Sequence, residues 1–157
     1  MLEKAIELLK NKEYNQSEIT LLSLLKDPGS KAEAAFRLAS LYDSQGKEKM
    51  AAAYYEKALL FSIRGELRER TYIQLGSTYR AVGEYEKAKE CLEQGLLEYP
   101  ENRAIQIFLA AVYYNIGESK KAATLLLENL AMTSSDQWVS DYKEALLFYA
   151  KDLDQSW

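Results

Sequence analysis

The chain copies itself. Laying "AAFRLASLYDSQGKEKMAAAYYEKAL" over "TYIQLGSTYRAVGEYEKAKECLEQGL" and "IQIFLAAVYYNIGESKKAATLLLENL" aligns residues of the same kind with no internal gap. Each copy reads Leu-small-x-x-Tyr, then a glycine four residues after the tyrosine, then a small residue five after the glycine. The three series are Leu38, Ala39, Tyr42, Gly46, Ala51; Leu75, Gly76, Tyr79, Gly83, Ala88; and Leu109, Ala110, Tyr113, Gly117, Ala122. The leucines lie 37 and then 34 residues apart. A unit this short, repeated, cannot bury its apolar face alone and must stack on its neighbours.

The spacing of apolar residues within each copy predicts two helices joined by a turn. Gly76 falls inside the first of them, where glycine costs about 1 kcal/mol relative to alanine. Its place is held by Ala39 and Ala110 in the other copies, so it reads as a close crossing of two helices, with Ala51, Ala88 and Ala122 on the facing side. Gly46, Gly83 and Gly117 each follow a helical run and precede a new start, which predicts left-handed helix caps. "SKAE" (residues 30–33) and "NQSE" (residues 15–18) read as capping boxes that open helices. In all, the pattern predicts nine helices: four hairpin pairs over residues 1–132 and a final helix from about Asp136 to Leu153. The final helix carries an apolar stripe of Trp138, Tyr142, Ala145, Leu146, Tyr149 and Leu153, with Val139, Leu147 and Phe148 widening it beyond what a solvent-facing end needs.

Composition removes most chemistry. The chain has 157 residues, no histidine and one cysteine, Cys91. Without histidine it lacks the commonest general base and the commonest metal ligand; with one cysteine it forms neither an internal disulfide nor a CxxC pair. Cys91 stands one residue before the core position Leu92 and reads as a partly buried thiol. Carboxylate pairs such as Glu84 and Glu86 point to different helix faces, and no glycine belongs to a phosphate-binding loop. Hence no enzyme, no catalytic residue, no metal and no cofactor are expected. Twelve tyrosines raise the thought of a base-stacking platform, but Tyr42, Tyr79 and Tyr113 recur at one core register, and a net charge of −4 disfavours nucleic acid. Charges interrupt the apolar positions of "MLEKAIELLKNKEY", so neither a leader peptide nor a membrane partner is expected, and cytoplasm is the expected location.

A helix-turn-helix unit of about 34 residues with W-x2-L-G-x2-Y, a later alanine and a late proline is the tetratricopeptide repeat. The chain resembles this family over most of its length. The fullest copy has Tyr72 at the tryptophan place, then Leu75, Gly76, Tyr79, Ala88 and Pro100. The resemblance implies an all-α fold, a right-handed α-solenoid of antiparallel helix pairs. It divides a single domain, residues 1–157, into a degenerate repeat at 1–31, repeats at 32–68, 69–102 and 103–135, and a C-terminal capping helix at 136–157. The first repeat has Lys12 at the turn-glycine place, the second carries a three-residue insertion near "SIRGELR", and Asn129 occupies a usually small place in the last.

The family's concave groove is lined by set places of each first helix. Carried onto this chain they are Glu33, Phe36, Arg37, Ser40 and Asp43; Arg70, Ile73, Gln74, Ser77 and Arg80; Ala104, Ile107, Phe108, Ala111 and Tyr114; and Leu2, Ile6 and Leu9 from the degenerate copy. Apolar anchors beside an arginine ladder (Arg37, Arg70, Arg80) imply a protein or peptide segment bearing apolar and acidic residues. The competing reading of Phe36, Ile73, Ile107 and Phe108 is packing between repeats. The basic clamp with which some family members grip chaperone tails is absent, its places holding Phe36, Ser40, Gln74, Ala104 and Phe108. The resemblance thus implies a non-enzymatic interaction scaffold. The alternatives are a structural homo-oligomerising module, in which the final helix or first hairpin makes a homodimer, and a small chaperone holding an unfolded partner segment.

Overall fold

The computed structural model describes residues 1–156, and the helices among them number ten, one more than the sequence pattern predicts. They are α1 (Leu2–Lys10), α2 (Tyr14–Leu24), α3 (Lys31–Ser44), α4 (Glu48–Leu60), α5 (Gly65–Ala81), α6 (Tyr85–Glu98), α7 (Arg103–Asn115), α8 (Ser119–Thr133), α9 (Gln137–Asp141) and α10 (Lys143–Ala150). No strand occurs among the described residues, and none of their helices is long and apolar enough to cross a membrane. Residue 157, the end of the expected capping segment, lies outside them. The helices fall into two compact units, Met1–Glu84 with α1 to α5 and a second beginning at Tyr85 with α6 to α10.

Turn chemistry explains where the first helices stop. After α1, α3, α5 and α7 the left-handed position is taken by Lys12 (φ 62°), Gly46 (φ 68°), Gly83 (φ 81°) and Gly117 (φ 83°). The amide that follows each one reaches back to the last turn of its helix: Glu13 to the Leu8 carbonyl (2.9 Å), Lys47 to Tyr42 (2.9 Å), Glu84 to Tyr79 (2.9 Å) and Glu118 to Tyr113 (2.8 Å). This bond satisfies a carbonyl that the helix end would leave open. Lys12 makes the same turn without being glycine, at the steric cost of a Cβ in the left-handed region.

In the first unit α1 pairs with α2 and α3 with α4, while α2 packs on α3 and α4 on α5. The small residues lie where the helices cross: Ala39, Ala51 and Ala58 are fully buried, and Gly76 is buried with them. Large apolar side chains fill the space between, Leu21, Leu38, Leu41 and Tyr55 among them, and each contributes about 1.5–3 kcal/mol relative to an exposed position. At the small place of α2 stands Ser17, also fully buried, whose hydroxyl donates to the Ala5 carbonyl of α1 at 2.8 Å. A buried hydroxyl is tolerated because it has this partner. The inserted residues of the second repeat form the α4–α5 turn, in which Ser62 and Gly65 take positive φ and Ile63 is buried.

In the second unit α6 packs on α7, α7 pairs with α8, and α10 lies on α8. Ala88, Leu92, Ile105, Ala110 and Val112 are fully buried and Gly95 is buried. Asn129 holds the place that Ala58 and Gly95 occupy elsewhere. Its amide nitrogen donates to Gln106 Oε1 (2.9 Å) and the Leu125 carbonyl (2.8 Å), so the polar group is accommodated by hydrogen bonds rather than by leaving the core.

Three sequence expectations need correction. Neither capping box forms. Ser30 donates instead to Asp27 Oδ2 and Glu33 pairs with Arg37, because charged partners outcompete a backbone amide; α2 starts at Tyr14, ahead of "NQSE". Side-chain caps form elsewhere, at Asn102, accepting from the Ile105 amide at 2.9 Å, and at Asp136, accepting from the Val139 amide at 3.1 Å. The final helix is two helices, since Tyr142 at φ −99°, ψ 9° leaves helical geometry. That bend lets α10 settle on α8 through Ala150, which is fully buried, while α9 keeps no buried residue.

Candidate functional site

Surface presented by the first helices is built separately in each unit. In the first, α1 lies beside α3 and α3 beside α5, forming a wall of first helices. Leu2, Ile6 and Leu9 are half-buried in it, Ile73, Ser77 and Arg80 are half-exposed, and Gln74 is exposed. Phe36 is not an exposed anchor. It is only 5% exposed and meets the ring of Tyr55, on α4 of its own repeat, edge-to-face at 5.7 Å, so it belongs to the core.

Two members of the expected arginine ladder carry their own counter-charge one turn earlier. Arg37 contacts Glu33 Oε1 through Nη2 (2.8 Å) and Nε (3.2 Å), and Arg70 contacts Glu66 Oε1 through Nε (2.7 Å) and Nη2 (2.7 Å). Pairs of this kind contribute only about 0.3–0.5 kcal/mol, so an incoming carboxylate can exchange with the glutamate at little cost. The wall is therefore a mixed-charge surface.

At the centre of this wall, helices α3, α4 and α5 converge on one carboxylate. Tyr55 donates its hydroxyl to Asp43 Oδ2 at 3.0 Å, Thr78 donates to Oδ1 at 3.4 Å, and Ser40 Oγ lies 3.4 Å from the Tyr55 oxygen while bonding the Phe36 carbonyl at 3.1 Å. Burial raises the Asp43 pKa above the usual carboxylate value, opposed in part by the two hydroxyl donors. Burial likewise lifts the Tyr55 hydroxyl well above the ordinary phenol range, so it remains a donor at neutral pH. Asp43 and Ser40 stood among the sequence candidates; Tyr55 and Thr78 did not, being 12 and 35 residues from Asp43 and on other helices.

In the second unit, α7 presents an open apolar strip. Ile107 and Tyr114 are 46% and 70% exposed, Ala104 is exposed, and Ala111 and Phe108 are half-buried. At positions 104, 107, 111 and 114 these residues share one helix face.

One recurring hydrogen bond went unread in the sequence. In α3, α5 and α7 the tyrosine of the repeat signature donates to a glutamate on the second helix before it: Tyr42 to Glu18 Oε1 (2.6 Å), Tyr79 to Glu56 Oε1, and Tyr113 to Glu93 Oε1 (3.1 Å). Burial, then the glutamate bond, pushes the Tyr113 pKa up to about 12 and that of Tyr42 well beyond the normal range. The signal was a glutamate 20 to 24 residues before each tyrosine. The hydroxyls of this register are thus occupied by the molecule's own hydrogen bonds. Cys91 is half-buried, and no group of three metal-binding side chains occurs among the described residues.

Comparison with known proteins agrees with this architecture. The family model described as tetratrico peptide repeat matches residues 32–153. The human protein O-mannosyl-transferase TMTC1 is 30% identical over 89 residues, 57% of this chain and 10% of that protein. The Drosophila melanogaster BBSome complex member BBS4 homolog is 33% identical over 78 residues, 50% of this chain and 15% of that protein. The match therefore spans a small part of either relative. With hairpins stacked on small residues, left-handed turns in register and a family model covering residues 32–153, the chain belongs to the tetratricopeptide repeat family.

Proposed function

We propose that the chain is a non-enzymatic adaptor, cytoplasmic in location, whose first-helix surfaces hold a segment of another protein bearing apolar and acidic residues. Tetratricopeptide repeats are in general protein–protein interaction modules, and one relative is named as the member of a complex. The observation that carries the reading is the strip on α7: side chains at the family's groove places that serve packing alone would be covered, yet Ile107 and Tyr114 stand open. Apolar side chains open in a row are the usual anchor points for a helical or extended segment. On the first unit, Arg70 and Arg80 supply cations for the partner's acids, and the Asp43 carboxylate offers an acceptor for a backbone or side-chain N–H. The transferase named among the relatives is matched over 10% of its length, and its activity is not carried to this chain.

A photo-crosslinking residue at Tyr114, with a control at the equally exposed Leu97 on α6, tests this reading in native extract. Adducts specific to position 114 that disappear in the Ile107→Ala background support it; equal labelling at both positions rejects it. Self-association is a second reading and uses another surface, the apolar face that α9 and α10 leave open.

A further inference from the structure

Three departures from the repeat meet at Asp43. In the register of the aligned copies, the place of Tyr55 holds Leu92 and Leu126, and the place of Thr78 holds Leu41 and Val112. Leu92, Leu41 and Val112 are core residues, and Tyr55 and Thr78 are buried as they are. On two different helices, then, the chain puts a hydroxyl where its other copies put an aliphatic side chain. Such an exchange costs stability unless each hydroxyl finds a partner. Both find the same one: Tyr55 donates to Asp43 Oδ2 at 3.0 Å and Thr78 to Oδ1 at 3.4 Å. Asp43 departs from the pattern too, since its place carries Arg80 in α5 and Tyr114 in α7. The other copies form their helix pairs without a carboxylate there and without the two donors, so the stacking of repeats does not call for this group.

The donors orient the carboxylate but leave its charge uncompensated. A carboxylate has about four acceptor sites, and two neutral hydroxyls take one on each oxygen. Asp43 is half-exposed on the wall of first helices, so further acceptor sites stay accessible. Among the described residues no lysine or arginine pairs with it; Arg37, on the same helix, is engaged by Glu33 at 2.8 Å. Burial foremost, and with it the Glu48 carboxylate in the first turn of α4, raises the Asp43 pKa against the pull of the two hydroxyls, as befits an anion with no cation beside it.

This environment selects its occupant by charge. A neutral N–H would add a hydrogen bond and leave the anion unbalanced, whereas a cationic donor supplies both, and charge-assisted bonds are roughly twice as strong as neutral ones. The hydroxyls already fix the carboxylate, so little ordering is lost when a ligand arrives. We propose that Asp43 is the acceptor for a lysine or arginine side chain of the bound segment, which therefore carries a basic residue at this place as well as acidic ones elsewhere. The proposal rests on the adaptor reading above and adds to it the sign of one partner residue.

Selection of a random peptide library, displayed on phage, against the full chain tests it. Enriched peptides are expected to share a lysine or arginine at one fixed place. Asp43→Asn keeps an acceptor for Tyr55 and removes the charge, and is expected to lose that preference; Asp43→Lys is expected to turn it to aspartate or glutamate. A purely structural carboxylate would change the melting curve without changing which residues are selected. On the wild-type chain, replacing the fixed base of a selected peptide, lysine by norleucine or arginine by citrulline, is expected to weaken binding at least about tenfold, a readout independent of how any Asp43 variant folds. A chain that selects no peptide overturns both the adaptor reading and the proposal. Binders without a fixed base, a base still fixed in Asp43→Asn, or a replacement that leaves affinity unchanged overturn the proposal alone.

Discussion

Replacing Tyr55 by phenylalanine isolates the hydrogen bond at the centre of the first-helix wall. The ring is fully buried and meets Phe36 at 5.7 Å, so the substitution keeps the apolar packing and removes only the hydroxyl that donates to Asp43 Oδ2 at 3.0 Å. A bond to an ionised group contributes about 1.5–3 kcal/mol when its surroundings are dry. Asp43 is half-exposed and water replaces part of the loss, which brings the expected cost at neutral pH to about 1–1.5 kcal/mol. The pH dependence follows from the raised pKa of Asp43. Burial makes the native state bind the Asp43 proton more tightly than the unfolded chain does, so this group's contribution to stability falls as pH rises from its unfolded pKa to its folded pKa, and is flat above. The Tyr55 bond lowers the folded pKa. Removing it widens that window and makes the variant lose more stability across it. Urea unfolding followed by far-ultraviolet circular dichroism at neutral pH and below the Asp43 titration measures both quantities. The cost of Tyr55→Phe should shrink by about half at acid pH, where a neutral carboxyl remains, and a double-mutant cycle with Asp43→Ala should return a coupling of about 1 kcal/mol. A cost equal at both pH values, or strict additivity in the cycle, would refute the argument that the hydroxyl acts on the carboxylate.

Other expectations address the repeat itself. Lys12→Gly removes a Cβ from the left-handed region and should stabilise the first hairpin by about 1 kcal/mol in the same urea assay, and Gly83→Ala should cost a similar amount. Gly76→Ala should be neutral or gain up to about 1 kcal/mol, since Ala39 and Ala110 are fully buried at the same place, while Gly76→Leu should cost about 1–3 kcal/mol by overpacking. Reversing Arg70 and Arg80 to glutamate together should abolish capture at the first-helix surface with little change in the melting curve; capture that persists excludes these arginines as partner-binding groups.

The repeat was legible because it is written in short-range spacing. Small residues at Ala39, Gly76 and Ala110 mark helix crossings wherever they occur, since no larger side chain lets two backbones approach so closely, and left-handed turns must follow each first helix if the next is to fold back. Even Lys12 obeyed the register of the glycines, because the capping hydrogen bond depends on backbone geometry more than on the side chain. What the spacing left open was which way a given side chain faces once a third helix arrives. Phe36 holds a groove place by position, yet Tyr55 of α4 draws it into the core; Arg37 and Arg70 meet glutamates of their own helices before any partner; Asp43, Tyr55 and Thr78 come together only because three helices cross there. The apolar stripe of the last helix was visible as a pattern, but the docking of α10 on α8 through Ala150 decided that its aromatic row stays open. Periodicity places residues on a helix face; only the crossing of neighbouring helices determines whether that face meets protein or water.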